Sequence, residues 1–286
     1  MFRYALAVAA LVLSVPVTGQ PPWQPPRTPD GHPDMQGIWR FGPGQASLAA
    51  LVSLEGERGP LWQDVSAWLQ VEATISDFKV LAPSFVVDPP DGKIPYQPWT
   101  AAKRREFFAN SVTPTKLEHI DPNTRGWLTG VPRIQHYPPP LQILQVPGSV
   151  VLLYENKHAS RVVPLDGRSH VGENIHLFMG DSRGRWEGNT LVVDVTNQNG
   201  RAWLDVLSFH GEGLHVVERW TPVGPDRIDY QATFEDATMF TQPWTIAYSF
   251  TRANLASEIW EAADYEGERD IERMLRGGGF AGRRKE

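Results

Sequence analysis

The stretch 158–197, HASRVVPLDGRSHVGENIHLFMGDSRGRWEGNTLVVDVTN, is where this chain concentrates groups that move protons or bind ions. His158, His170 and His176 stand there with Arg161, Arg168, Arg183 and Arg185 and with Asp166, Asp181 and Asp194, between apolar segments of β type. A histidine oriented by a carboxylate can take a proton, and a neighbouring arginine can stabilise the anion that results. On this reading His158 is the base, His170 belongs to the same cluster, and Asp166 or Asp181 orients the ring. Arg161, Arg168 and Arg183 then bind an anionic group, and Trp186 and Trp244 line the pocket. The reading requires His158, His170, Arg161 and Asp181 to face one side of the molecule. The structural alternative is an arginine–carboxylate network that ties the LeuAspGlyArg turn to the GlyAspSerArgGlyArg loop.

Other chemistries find less support. His158, His170 and His176 lack the close pair that zinc motifs place on one helix turn, and His210 and His215 fall in a loop leading into a strand. No metal is therefore assigned. There is no Gly-x-Ser-x-Gly elbow and no cysteine, and Ser182 sits in a loop with no helix after it. No glycine-rich phosphate loop follows a strand. The glycines at 277–279 follow a helical pattern and act as a stop. No cofactor is expected.

The elements that must position these groups are strands. From residue 134 onward short apolar runs follow one another closely: 141–146, 150–155, 161–165, 185–187, 190–195, 214–221, 227–235 and 245–251, with 259–262 as a last candidate. Pro147-Gly148, Gly188-Asn189 and the GlyProAsp at 224–226 supply turns. No gap of helix length separates the strands from 185 to 251, which argues against a parallel sheet. The fold class expected is mainly β: an antiparallel barrel or sandwich, calycin-like barrels included, with a partly helical N-terminal elaboration and a C-terminal helix near 268–276. In the elaboration, 61–71 has helical spacing, Thr100 is placed to cap a helix through 108, and 84–88 is a short β run.

The domain reading is correspondingly simple. Residues 1–19 read as a secretory signal peptide, with Arg3 before an apolar core and small residues at 18–19. Residues 20–44 are a proline-rich extended segment, 45–133 a mixed elaboration, 134–279 the β domain packed with it as one unit, and 280–286 a disordered tail. No segment has the roughly 20 apolar residues of a membrane span, so no membrane anchor is expected. The absence of cysteine means that no disulfide staples the fold and the core must hold it. The net charge of −6 argues against nucleic-acid partners, which select basic faces. The 11 tryptophans and 12 phenylalanines serve as core side chains or as the wall of an apolar or sugar-like pocket.

Five phrases occur together: TPDGHPDMQGIW at 28–39, VDPPDGKIP at 87–95, VVPLDGRSH at 162–170, GDSRGRWEGNTLVVD at 180–194 and FTQPW at 240–244. They resemble a large, largely uncharacterised family of exported bacterial proteins, frequent in acidobacteria and related soil bacteria. The likeness spans about 28–279 and brings no reaction with it. Family members carry a cysteine where this chain has Gly126, and Cys-His-Glu-Gly where it has Asp264-Tyr265-Glu266-Gly267. If those cysteines pair in relatives, the resemblance implies that Gly126 and Asp264 are neighbours, within about 7 Å between Cα atoms. Tyr265, in place of the histidine, argues against an obligatory base there.

Together these readings lead to a periplasmic or secreted enzyme that acts on a small molecule by metal-free acid–base chemistry, as a lyase, isomerase or hydrolase. The alternative is a non-catalytic periplasmic protein that binds an apolar or sugar-like ligand. The two differ in one observable. The enzyme needs a histidine that faces the interior and is unpaired or singly paired, whereas the carrier needs its titratable groups paired.

Overall fold

Beyond residue 140 the short apolar runs are strands in the structure, and burial along β-type runs such as 149–154 and 227–235 alternates with the period of two that a half-buried strand requires. The computed structural model describes residues 23–42, 52–59, 80, 82–111, 113–136, 140–253, 258–260 and 270–278. The strands are β1 (Gly37–Phe41), β2 (Val86–Asp88), β3 (Leu141–Val146), β4 (Ser149–Tyr154), β5 (Ser160–Pro164), β6 (Asp181–Glu187), β7 (Thr190–Thr196), β8 (His215–Gly224), β9 (Arg227–Glu235) and β10 (Trp244–Arg252). All pairings are antiparallel, in the order β5-β4-β3-β1-β10-β9-β8-β7-β6, with β2 added to β10.

The sheet curls into a nearly closed barrel. Its two ends, β5 and β6, meet through side chains rather than a backbone ladder. The Nε of Arg161 on β5 donates to Ser182 Oγ on β6 at 2.7 Å. Gly184 on β6 leaves the space into which Val163 and Leu165 fit: a Cβ there would lie 2.7 Å from each of them. The interior is aromatic, with Trp220 stacked on Phe250 at 5.1 Å and Phe234 on Trp244 at 4.0 Å between ring centroids.

The turns follow local chemistry. Gly148 and Gly188 take φ of 76° and 60° in the β3–β4 and β6–β7 hairpins, conformations that glycine adopts without a Cβ penalty.

Ser182, expected in a loop, lies on β6, which begins at Asp181 rather than at Arg185. Two further expectations need correction. Gly37–Phe41, expected inside an extended surface segment, is a central strand between β3 and β10. The proline run ends at Pro33, and GlyIleTrpArgPhe then alternates so that Trp39 and Phe41 are buried. Helix α1 (Pro98–Asn110) starts at Pro98, and Thr100 does not cap it. The Thr100 hydroxyl instead donates to the Met239 carbonyl at 3.0 Å, while Pro98, which lacks an N–H, suits the first turn. Thr100, Arg104, Phe107 and Phe108 form the buried stripe of α1.

A 3₁₀ turn (Leu117–His119) and helix α2 (Arg133–His136) precede the barrel. Helix α3 (Asp270–Arg273), continued by a π-helical turn (Met274–Gly278), lies where the C-terminal helix is expected. Residues 258–260 are irregular. The expected signal peptide, helix 61–71, tail and Asp264 lie outside the described residues, so the implied nearness of Gly126 and Asp264 does too. Among the described residues no helix is long and apolar enough to cross a membrane.

Candidate active site

The barrel wall separates the polar residues of 158–197 into two groups. On its outer face, Asp181, Asp194, His215 and Glu235 stand on β6, β7, β8 and β9, and the loop after β5 lays His170 over them. His170 Nδ1 is 2.8 Å from Asp181 Oδ2, and its Nε2 is 2.9 Å from Asp194 Oδ1. The other Asp194 oxygen is 3.1 Å from His215 Nε2, and His215 Nδ1 is 3.6 Å from Glu235. Arg183 completes the row: its Nη1 is 2.7 Å from Asp181, and its Nε donates to the Ser169 carbonyl at 3.0 Å. Both ring nitrogens of His170 are engaged by carboxylates, so neither offers a lone pair to a substrate. The row fastens the 165–180 loop to the sheet through His170 and the Ser169 carbonyl, whereas Arg168 pairs only with Asp166 of its own turn.

Arg161 points the other way, into the barrel, and is 4% exposed. The juxtaposition of His158, His170, Arg161 and Asp181 on one side is therefore not what the structure has. The physical reason is strand alternation. Ser182 faces inward to Arg161, so its neighbour Asp181 must face outward. His158 is exposed in the β4–β5 turn at φ 49°. Asp166 and Arg168 form an exposed local ion pair, and Arg168 holds the Asp166 carboxyl down to about 2. Trp186 is partly buried and stacks on His32 at 5.1 Å. Trp244 is fully buried core.

Inside the barrel Arg161 is the centre of a second polar group. It pairs with Glu218 of β8, which is completely buried. Glu218 Oε1 also accepts from Tyr230 Oη at 2.8 Å and from Gln135 Nε2 at 3.0 Å, and Tyr154 Oη donates to Gln135 Oε1 at 2.9 Å. Burial opposes the charge on Arg161, but Glu218 outweighs it and holds the guanidinium charged. Tyr230 and Tyr248 are held protonated well above the usual phenol range, first by burial and then by the negative charge of Glu218.

Helix α2 delivers Gln135 and a residue that spacing did not single out, His136. A bidentate pair of Arg133 with Asp121, at 2.8 and 2.6 Å, clamps the turn in place. The His136 ring packs against Tyr248 at 5.9 Å and Phe41 at 6.2 Å between centroids. It is buried, and burial followed by the nearby positive Arg133 pushes its pKa down to about 3, so the ring is neutral. The Leu204 backbone carbonyl takes one ring N–H.

His136 Nδ1, Tyr248 Oη and Arg161 Nη1 are among the buried polar atoms of this interior without a close hydrogen-bond partner among the described residues, together with the indole nitrogens of Trp220 and Trp244. Most buried polar atoms in folded proteins are paired, so unmatched ones clustered in one interior are informative. Here they include an acceptor on His136, a neutral donor on Tyr248 and a cationic donor on Arg161. These are the kinds of group that bind a ligand oxygen and accept a proton: a neutral donor, a cationic donor and a neutral imidazole nitrogen. His136 was missed because nothing in its flanking residues resembles a catalytic motif.

Metal-capable donors occur elsewhere. Glu106, Glu118 and His119 offer ligand atoms within 4.8 Å of one another. Lys103 already bridges the two carboxylates at 3.2 and 3.1 Å, and Lys116 approaches both at 3.6 and 3.5 Å. Comparison with protein-family models, with curated proteins and with solved structures finds no match for this chain.

Proposed function

We propose that this is an exported enzyme that takes a small, largely apolar molecule carrying a carbonyl or carboxyl oxygen into its barrel and acts on it by metal-free acid–base chemistry. Tyr248 and Arg161 bind the oxygen and stabilise negative charge developing on it. His136 accepts the proton, its basicity raised by the anion forming beside it. Glu218, Tyr230, Tyr154, Gln135 and Ser182 hold Arg161 in place. The observation that carries the reading is that one acceptor, His136 Nδ1, and two donors, Tyr248 Oη and Arg161 Nη1, are among the unmatched buried polar atoms of a single aromatic interior. It calls for lyase or isomerase chemistry ahead of hydrolysis, because no nucleophile accompanies the set.

The second reading is a carrier without chemistry, favoured by the complete pairing of Glu218, Tyr230, Tyr154 and Gln135. One experiment separates the two. Ligands that co-purify with the protein from its native compartment are identified by mass spectrometry, then returned to wild type, His136→Gln and Tyr248→Phe. An enzyme converts the pool to species of new mass or new retention, and both variants bind without converting. Recovery of an unchanged pool from wild type defeats the enzymatic reading and leaves the carrier. Conversion at the wild-type rate by both variants defeats the assignment to this interior.

A further inference from the structure

Outside the barrel, helix α1 and the segments 117–127 and 200–209 enclose a cleft of about 380 Å³. One wall is aromatic: Phe107 stacks on Trp203 at 5.1 Å and meets Phe209 edge-on at 5.2 Å. Trp127 also lines the cleft, with the Arg125 guanidinium over its ring at 4.2 Å. Gly126, at φ 78° and with open space around it, makes the turn that brings Arg125 back under Trp127. A second depression of about 430 Å³ adjoins the first through Arg201 and is lined by Phe178, which packs edge-on against Trp127 at 5.5 Å. The combined space suits a ligand of one or two rings.

The charges in this cleft do not balance. Arg125 is half-buried, and its Nε is buried with no hydrogen-bond partner among the described residues. Neither Arg125 nor Arg201 makes an ion pair among the described residues. Asp121 is the acid that acts on the Arg125 charge, and both of its oxygens already accept from Arg133. Of the carboxylates in the lining, Glu118 is answered by Lys103 and Lys116, and Glu212 lies 4.0 Å from His176. Burial disfavours the charge on Arg125, consistent with a cation awaiting its partner.

The geometry points to a second binding site, independent of the barrel interior, for a flat aryl carboxylate: its rings lie against the Phe107–Trp203 wall and Trp127, and its carboxylate is taken by Arg125 and Arg201. Arginine suits this task because its planar fork meets a carboxylate through two N–H groups while its face stacks on an aromatic ring.

The test uses the full chain with 2-naphthoate and its uncharged analogue 2-naphthamide, followed by isothermal titration calorimetry. 2-Naphthoate should show a saturable binding step that depends on Arg125 and Arg201, and in that step the amide should bind at least about tenfold more weakly, since the charge-assisted pair is lost. Arg125→Gln and Arg201→Gln should each raise the dissociation constant of 2-naphthoate by about tenfold or more. His136→Gln should leave it within about twofold, because that residue belongs to the other site. Arg201 is exposed, so its variant keeps the test alive if Arg125→Gln does not fold. The proposal is overturned if 2-naphthoate shows no saturable binding, if the amide binds equally well, or if affinity falls with His136→Gln but not with Arg201→Gln.

Discussion

Arg161 on β5 and Glu218 on β8 pair inside the barrel, with β6 and β7 between their strands. Only a sheet curled back on itself lets those two side chains meet. The pair therefore records the closure of the barrel as well as the centre of its polar interior. Breaking it should be costly: Arg161→Met or Glu218→Leu alone leaves an uncompensated buried charge, worth about 3–5 kcal/mol of stability. The double variant Arg161→Met/Glu218→Leu should lose clearly less than the sum of the singles. Urea denaturation of the four proteins measures this coupling, and additivity of the two losses would mean that the pair is not direct.

His136 makes a prediction about acid. Its folded pKa is depressed to about 3 from an ordinary value of 6.5. The unfolded chain thus binds a proton that the folded chain does not, and stability falls as pH drops through that interval. The cost is about 1.4 kcal/mol per pH unit over the window between the two values. His136→Phe keeps a ring against Phe41 and Tyr248 but cannot take the proton. Stability measured from pH 7 to pH 4 should therefore fall less steeply in His136→Phe than in wild type. Parallel curves would show that His136 is not held neutral by the fold.

The Tyr248 hydroxyl separates folding from function. It is buried without a close partner, beside a Tyr230 hydroxyl that already donates to Glu218, so its removal gives up little hydrogen bonding. Tyr248→Phe should leave the midpoint of unfolding unchanged or higher, since an unmatched buried hydroxyl costs about 1–3 kcal/mol. A loss of more than about 1 kcal/mol would place a structural bond on that oxygen.

The seam between β5 and β6 is testable at Gly184. A methyl group there would come within 2.7 Å of both Val163 and Leu165. Gly184→Ala should cost about 1–3 kcal/mol through overpacking, with the added exchange of backbone amides concentrated in β5 and β6. Val163→Ala, which vacates the space, should recover part of that loss. No recovery would mean that the strain arises elsewhere.

On the outer face, His170→Ala removes the bridge between Asp181 and Asp194 and leaves Arg183 to hold Asp181. The 165–180 loop should then exchange its amides faster, Leu177 among them, while the barrel amides keep their protection. Uniform loss of protection across β6, β7 and β8 would show that the bridge supports the sheet as a whole.

The strands were legible in the residues because their causes are local. Short apolar runs bounded by turn residues marked β3 to β10, though Asp181–Gly184 of β6 read as loop, and Gly148 and Gly188 marked the tight hairpins. β1 escaped this reading because a five-residue alternation after a proline run is too short to separate from extended coil. Of the candidate residues, Arg161 lies in the interior, and His170 and Asp181 are brought together outside it. The run 158–197 suggested one site because its polar residues are close in sequence. On a strand, closeness in sequence sends neighbours to opposite faces.

By itself, the sequence determined that this chain builds antiparallel strands joined by tight turns around an aromatic core. Those properties depend on side-chain period and on the backbone freedom of glycine, both readable over a few residues. Only the tertiary structure decided which polar groups meet. Arg161 finds Glu218, Gln135 finds both Glu218 and Tyr154, and His136 settles against Tyr248 because curling the sheet turns one face of distant strands toward a common interior. Burial there removes water from groups that would otherwise be solvated, and the unmatched atoms of His136, Tyr248 and Arg161 become distinctive only once the barrel encloses them.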